Sequence, residues 1–139
     1  PVALECAHKV PFLRKESVNF CIPLFNVAHL SGAAAAITMS AMVVTILTKG
    51  QTPSLETFLP FIILLGFIEV AAVGVPGGSV TAALGILEST LGLDQSGLGL
   101  MVALFMIQDS FGTAANVTGD GALTMIVDKA MHGEETKAS

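Results

Sequence analysis

The 139-residue sequence is short of charge. Only 12% of its residues are Asp, Glu, Lys or Arg, whereas about 25% is usual in soluble domains. Hydrophobic residues make up 53%, and the mean hydropathy is +0.77. The deficit argues against a soluble globular protein and indicates that lipid surrounds much of the chain.

Tryptophan and tyrosine are absent, and the formal net charge is −5. Nucleic acid is therefore not an expected partner, because no basic stripe with interleaved aromatic residues is available to bind it. Cysteine is scarce too. Cys6 and Cys21 lack the CxxC spacing of a metal or redox site, so they are interpreted as ordinary small apolar residues.

Long blocks of the sequence are nearly free of charge. The 32 residues 17–48 contain no Asp, Glu, Lys or Arg, and the blocks 57–87 and 95–127 contain one and two acidic residues. About 20 helical residues cross a hydrocarbon core of about 30 Å. Each block is therefore long enough to be embedded in a membrane, and membrane lipid is an expected partner.

The blocks predict an all-α, multi-pass membrane protein. Residues 17–48 would form a helix of about 48 Å, and the polar, flexible sequence HLSG at 29–32 predicts that this transmembrane helix is broken. Residues 55–90 predict a re-entrant helical hairpin, because two short apolar arms flank the sequence GVPGG. Residues 97–131 predict a last transmembrane helix with a polar stripe.

The two ends of the sequence are more polar. Residues 1–16 contain a short apolar run and a loop at a membrane face, and residues 132–139 form a solvated tail. The sequence begins with Pro1 inside an already patterned segment, so we expect a fragment of a longer protein. Basic residues precede the first long helix and follow the last one, which predicts that both ends are cytoplasmic.

Four polar residues of the last helix are spaced by four, three and four positions: Asp109, Thr113, Asn116 and Asp120. This spacing places the four side chains on one helix face. A carboxylate at membrane depth costs at least about 2.5 kcal/mol, so two of them require a partner, water or a bound ion. The alternative is a hydrogen-bonded seam between helices, although such a seam would not need charge. We predict part of a small-solute and cation site.

Two further features lie at membrane depth. The GVPGG turn leaves peptide groups unpaired, which is tolerated where they line a cavity or meet a ligand; a plain tight turn is the alternative. His29 and Glu69 are ionisable, and we hypothesise that they form a protonation site coupled to transport. For His29 the alternative is a neutral imidazole that makes a hydrogen bond.

The stretch DSFGTAANVTGD at 109–120 resembles the DxxRTxxNVTGD signature of the dicarboxylate/amino acid:cation symporter family, which includes the glutamate transporters. GVPGG resembles the tip of the family's second hairpin, and NFCIPLFNVAHLSGA at 19–33 resembles its F-x-LPLGATINMDGT segment. The similarity covers nearly the whole chain. It implies the C-terminal part of a glutamate-transporter-like transport domain, with residues 1–16 as the end of the first hairpin and a cytoplasmic loop. It also implies a homotrimer in the plasma or inner membrane, completed by the remainder of the transporter.

The resemblance implies a role for each matched residue. Asp109 would bind the amino group of an amino acid, and Thr113 and Asn116 would hold its amino and carboxylate ends. The hairpin tip would close over the substrate from outside. The tip residues and the position after Phe111 complete the implied substrate site: Val73, Gly74, Val75, Pro76, Gly77 and Gly112.

The resemblance also implies two cation sites. Asp120 would be a cation ligand, and backbone carbonyls near three residues would complete its site: Phe25, His29 and Asn116. A second site would use the backbone carbonyls around four residues: Val27, Glu69, Val70 and Ala72. Sodium is the expected coupling ion, and no resident cofactor is expected.

Two departures from the family pattern change the expected chemistry. Gly112 stands where members that take acidic substrates have Arg, so the bidentate partner of a side-chain carboxylate is missing, and a neutral amino acid is favoured. HLSGA replaces NMDGT, which removes the Asn and Asp side chains expected to bind one sodium ion. Sodium coupling is then reduced or partly exchanged for protons.

The sequence thus predicts a cation-coupled symporter that works by alternating access and is not an enzyme. One alternative is an intramembrane aspartyl hydrolase that uses Asp109 and Asp120. These residues would lie about 16 Å apart on one helix, too far to share a proton. A structural membrane subunit without a solute site is the other alternative.

Overall fold

The computed structural model of the protein describes residues 1–72 and 75–132. Across these residues the chain is helical and forms no strand, so the predicted all-α class is confirmed. Six helices follow one another in the described ranges: α1 (Val2–Ala7), α2 (Lys15–Ala28), α3 (Ser31–Lys49), α4 (Leu55–Ala71), α5 (Gly78–Leu91) and α6 (Gln95–His132).

The first long apolar block is divided between two helices. α2 ends at Ala28 and α3 begins at Ser31, so the chain leaves helical geometry at His29 and Leu30, where the polar sequence predicts a break. His29 has extended backbone angles of φ −112° and ψ 90°. Pro23 lies inside α2 and does not end that helix. The break therefore lies at His29 and Leu30 and not at Pro23.

α4 and α5 pack against each other and form a helical hairpin. Ser54 is the N-cap of α4, and its hydroxyl accepts a hydrogen bond from the Thr57 N–H at 3.3 Å. At the other end of the hairpin Gly77 has φ 74°, a left-handed conformation that glycine adopts without a Cβ penalty. The 17 and 14 residues of the two helices correspond to about 26 and 21 Å, less than the thickness of a hydrocarbon core.

α6 is a continuous helix of 38 residues. It begins two residues before the predicted start at 97, because the Asp94 side chain accepts a hydrogen bond from the Gly97 N–H at 2.8 Å and satisfies the first turn. Its length of about 57 Å exceeds a hydrocarbon core. Both carboxylates of the predicted polar stripe therefore lie on one uninterrupted axis.

The apolar core is concentrated at one end of the molecule. The first half of α6 contributes Met101 and Phe105, which pack with buried side chains of α3, α4 and α5 such as Ile37, Phe61 and Leu87. The second half of α6 is hydrogen-bonded to α2 and to the first turn of α3, and the side chains that it buries are polar. The core thus fixes α6 at one end and leaves its polar half at the α2–α3 break.

Two stretches of the described residues are long and apolar enough to cross a membrane, Lys15–Lys49 and Gln95–Met131. Only 22% of the most apolar part of the second stretch is buried, whereas the core helix of a soluble protein is mostly buried. Large apolar side chains also lie exposed on the outer surface, among them Phe67 and Phe111 at 75% and 78%. These features are those of a membrane protein whose outer faces contact lipid or further protein.

Candidate functional site

A cavity of about 330 Å³ opens where the α2–α3 break, the α4–α5 turn and the polar half of α6 meet. Its lining combines four polar residues of the predicted stripe with residues from the other two elements: Asn26, Leu30, Ala33, Val75, Pro76, Ser79, Asp109, Thr113, Asn116, Val117 and Asp120. Two interrupted parts of the chain and one carboxylate-bearing helix therefore share one polar space.

The helical spacing of α6 brings the stripe to this cavity. Asp109, Thr113, Asn116 and Asp120 all line it, as the four, three and four residue spacing requires. Burial differs along the stripe: Asp109 is half-buried and Thr113 is exposed, whereas Asn116 is 8% and Asp120 1% exposed. The stripe thus offers an accessible carboxylate near one end and a nearly dry one near the other.

Asn116 connects the stripe to the start of α3. The Gly32 N–H donates a hydrogen bond to Asn116 Oδ1 at 2.7 Å. An N–H in the first turn of a helix has no partner within its own helix, so the Asn116 side chain acts as a cap for α3. The amide NH₂ group of this cavity-lining side chain is not used by that bond.

Gly32 and Gly112 lie at a close approach of α3 to α6. A Cβ on Gly32 would overlap the carbonyl oxygen of Gly112 and would lie 2.9 Å from the Ala115 Cβ. Gly112 is buried against this crossing and does not line the cavity, unlike its neighbour Thr113. The position that carries Arg in the family signature is here part of a backbone contact between two helices.

Asp120 of α6 is paired with His29, which lies in the break between α2 and α3. His29 Nδ1 lies 2.9 Å from Asp120 Oδ1, and the second carboxylate oxygen, Oδ2, is buried without a hydrogen-bond partner. The Thr124 hydroxyl donates to the backbone carbonyl oxygen of Asp120 at 2.7 Å and therefore does not occupy the side-chain carboxylate. An orphaned buried carboxylate oxygen is the atom that a cation or an ammonium group would satisfy.

Glu69 lies on the last turn of α4 and is 3% exposed. Neither carboxylate oxygen meets the geometry of a hydrogen bond within the described residues, although the Ser79 side chain of α5 is a close neighbour. The predicted partnership with His29 does not take the form of a hydrogen bond, because the His29 ring bonds to Asp120. The protonation site of His29 and Glu69 stays a prediction.

The carbonyl groups predicted to bind cations lie at the ends of α2 and α4, except that of Asn116, which lies within α6. The Phe25 carbonyl accepts from the His29 N–H at 2.8 Å, and the Glu69 carbonyl accepts from the Ala72 N–H at 3.2 Å. Each carbonyl oxygen has a second lone pair that these bonds do not use. Val27 and Val70 lie in the last turns of α2 and α4, where helix carbonyls lose their intrahelical partners.

The hairpin turn contributes part of its predicted residues to the cavity. Val75 and Pro76 line it, whereas Gly77 is buried as the N-cap of α5 and is absent from the lining. Val73 and Gly74, which the sequence also predicts as substrate-binding, lie outside the described residues.

Several lining residues were missed by sequence reasoning. Asn26 is a polar residue one turn before the break, and Ser79 follows GVPGG directly, so both carried a usable signal. Leu30, Ala33 and Val117 are apolar, and nothing in the sequence marks them as lining residues. The polar stripe also continues beyond Asp120 in four-residue steps, to the buried Thr124 and to Asp128, which accepts a hydrogen bond from the buried Ser17 hydroxyl.

The site suits a small charged or zwitterionic solute. Its carboxylates can bind an ammonium group, and its amide, hydroxyl and peptide N–H groups can bind a carboxylate. In the described part of the chain, no three His, Cys, Asp or Glu side chains are grouped to hold a metal ion.

The fold and the cavity define a helical membrane protein with a cavity lined by polar and apolar residues between discontinuous elements. The chain belongs to the sodium:dicarboxylate symporter family, whose model matches residues 1–130. The family resemblance of the sequence motifs is thereby confirmed.

The chain is similar to named transporters. It is 29% identical over 130 residues to excitatory amino acid transporter 3 of Mus musculus, which covers 93% of this chain and 24% of the relative. The same transporter of Homo sapiens is 28% identical over 134 residues, with the same coverage of 93% and 24%. The serine/threonine transporter SstT of Streptococcus agalactiae serotype III is 27% identical over 128 residues, 88% of this chain and 31% of the relative.

These relatives are transporters and not enzymes, which favours the transporter prediction over the hydrolase alternative. The chain spans about a quarter to a third of the length of the curated relatives it matches. No solved structure matches the chain.

Proposed function

We propose that the polypeptide containing this chain is a cation-coupled symporter of a small neutral amino acid, working by alternating access. The observation that carries the proposal is the cavity in which Asp109 and Asp120 of one helix meet the α2–α3 break and the α4–α5 turn. Discontinuous helices that meet at a polar site are typical of secondary transporters, because their free peptide groups can bind ions and solutes at membrane depth. The names of the similar transporters support an amino acid as the substrate.

In this proposal the stripe binds the two ends of the amino acid. Asp109, which is half-buried and lines the cavity, binds the substrate ammonium group. Thr113 and the free NH₂ group of Asn116 contribute to binding the substrate ends, and Val75 and Pro76 cover the substrate from the hairpin side. The substrate is neutral because Gly112 offers no guanidinium group to a second carboxylate.

The coupling cation is sodium in this proposal, as the family description suggests. Asp120 supplies the carboxylate of one site together with carbonyls near Phe25, His29 and Asn116. The second site is formed by the carbonyls around Val27, Glu69, Val70 and Ala72. In this proposal His29 and Glu69 also form a proton-coupled site.

The position in the membrane also belongs to the proposal. α4 and α5 are each shorter than a hydrocarbon core, so we assign them as a re-entrant hairpin that dips in from outside and does not cross. Residues 1–139 then form the C-terminal part of a transport domain in the plasma or inner membrane, and the complete protein is a homotrimer.

Reconstituted uptake tests the proposal. The complete natural polypeptide that contains residues 1–139 is placed in proteoliposomes and offered serine, alanine, threonine, glutamate and aspartate, with the sodium gradient varied at constant pH. We expect sodium-stimulated uptake of one of the three neutral amino acids and not of glutamate or aspartate. Glutamate uptake would contradict the assigned substrate class, and no uptake of any amino acid would contradict the proposed function.

Asp109→Asn tests the assigned role of the accessible carboxylate. Loss of the charged partner of an ammonium group removes an interaction of about 1.5 to 3 kcal/mol, so we expect amino acid affinity to fall at least about tenfold. Equilibrium binding of the labelled amino acid measures the change. Glu88→Gln on the exposed side of α5 is the matched loss of a carboxylate outside the cavity and should leave affinity unchanged.

A further inference from the structure

His29 is held in place next to Asp120 by one hydrogen bond of its backbone and one of its ring. Its backbone N–H donates to the Phe25 carbonyl at 2.8 Å, and its ring Nδ1 lies 2.9 Å from Asp120 Oδ1. Asp120 is 1% exposed, so little water is available to replace this contact. The imidazole is therefore a fixed partner of the carboxylate and not a side chain that passes near it.

The ring occupies a space that only glycine leaves open. A Cβ on Gly119 would overlap His29 Cε1 and would lie 3.3 Å from Nδ1 and 3.4 Å from Nε2. The imidazole thus lies directly on the α6 backbone, one residue before Asp120. Any side chain at position 119 would push the ring away from the carboxylate.

The direction of the hydrogen bond follows from the chemistry of the two groups. An ionised carboxylate only accepts, so Nδ1 carries the hydrogen and donates it to Oδ1. Hard cations prefer oxygen ligands such as carboxylates and carbonyls. Oδ1 already accepts the imidazole N–H, and Oδ2 is left without a partner in a residue that lines the cavity.

We propose that His29 is an internal competitor for the Asp120 carboxylate that weakens sodium binding there and so sets the cation dependence of the site. A sodium ion that binds both carboxylate oxygens must displace the imidazole N–H, and an ion that leaves it in place gains only Oδ2. The inference rests on the proposed symporter function but concerns one residue that the shared motifs do not supply.

Sodium titration of the purified complete polypeptide in detergent tests the proposal. The thermal unfolding midpoint is followed against sodium concentration at constant pH and ionic strength, with potassium as the replacement ion. We expect His29→Asn and His29→Ala to lower the half-saturating sodium concentration at least about tenfold. His8→Asn makes the same change at an exposed histidine of the α1 end and should leave the titration unaltered.

Two further variants keep the outcome interpretable. Gly119→Ala displaces the ring without removing it, so it should shift the sodium titration in the same direction as His29→Ala, even if one His29 variant folds poorly. Asp120→Asn should abolish the part of the sodium response that depends on His29, so that His29→Ala no longer shifts the titration in that background, while the second proposed cation site can still respond to sodium. A half-saturating concentration unchanged within twofold in both His29 variants and in Gly119→Ala would overturn the proposal.

Amino acid binding, measured in the same samples, separates this inference from the proposed function. Retained amino acid binding with an unaltered sodium titration would refute the role of His29 and leave the symporter standing. Failure of the unmodified protein to bind any amino acid would instead count against the symporter itself. A shift of the sodium titration by His29→Ala that persists in the Asp120→Asn background would refute the competition, because the affected ion would then lie elsewhere.

Discussion

The polar side chains that line the cavity use some of their atoms for hydrogen bonds within the protein and leave others without a partner. Asn116 uses Oδ1 to accept the Gly32 N–H, and Asp120 uses Oδ1 to accept from His29. Asp120 Oδ2 has no partner, and Asp109 is more accessible. Because buried polar atoms are nearly always hydrogen-bonded, the atoms left over are those that a ligand of the proposed symporter would contact.

Asn116→Ala is expected to affect stability and binding together. The variant leaves the Gly32 N–H without a partner at the start of α3, which costs about 1 to 3 kcal/mol, and it removes the amide from the cavity. Chemical unfolding should show the loss of stability, and amino acid binding should weaken in the same protein. Thr118→Ala, which removes only an exposed hydroxyl bonded to the Ala114 carbonyl, is the control. A variant as stable as the control would contradict the capping role.

At the scale of single residues, the sequence predicted the polar stripe of α6 but not the side chains that form hydrogen bonds with it. The spacing from Asp109 to Asp120 is fixed by helix geometry and could be read directly. The contact of His29 with Asp120 depends on how α2 and α3 pack on α6 and joins residues 91 positions apart. Neither periodicity nor local propensity determines such a contact. Sequence reasoning therefore paired the His29 side chain with Glu69, and only the family resemblance placed the His29 carbonyl near Asp120.

The elements around the cavity are positioned by one close helix crossing. α3 packs along α6, and the two backbones meet at Gly32 and Gly112. This contact brings the Gly32 N–H within reach of Asn116, one turn further along α6. The break and the stripe are therefore joined at this crossing as well as by the His29–Asp120 contact, and the closeness of the crossing depends on the missing side chain of Gly32.

The two glycines of the crossing are expected to respond unequally to alanine. A Cβ on Gly32 would overlap the Gly112 carbonyl, whereas a Cβ on Gly112 would find its nearest neighbours at 3.5 Å, an ordinary contact. Overpacking typically costs about 1 to 3 kcal/mol. Gly32→Ala should therefore lower the free energy of unfolding by about that amount and weaken amino acid binding. Gly112→Ala should do neither, and equal effects of the two variants would show that the crossing is not the tight contact described.

The order of the helices could be predicted from the sequence more completely than their ends. Charge-free blocks and the sequences HLSG and GVPGG predict the positions of α2 to α6 because solvation and backbone freedom act locally. The start of α6 was misplaced because the Asp94 side chain caps it. The place of the hairpin against α6 follows from packing between α4, α5 and the apolar half of α6, which composition does not encode.

At the scale of the whole molecule, the outer faces and the cavity differ in character. Phe67 and Phe111 lie exposed on the outside, while the space around Asp109 and Asp120 is polar. A polar cavity inside an apolar envelope can exchange solute with water only along defined routes. The proposed hairpin places Val75 on one such route, because this residue lines the cavity and is also 57% exposed.

A cysteine at position 75 tests that route in the assembled protein. The Val75→Cys variant of the complete polypeptide, in a background without other cysteines, is treated in sealed cells with a membrane-impermeant thiol reagent. We expect labelling from outside, and we expect sodium with a neutral amino acid to slow it several-fold, because substrate in the cavity covers the same residue. Val43→Cys is the control, since Val43 is 48% exposed on α3 but does not line the cavity, so it should stay unlabelled within lipid. Labelling at position 75 that needs a permeant reagent would place the hairpin on the cytoplasmic side, and labelling unaffected by substrate would separate the turn from the solute site.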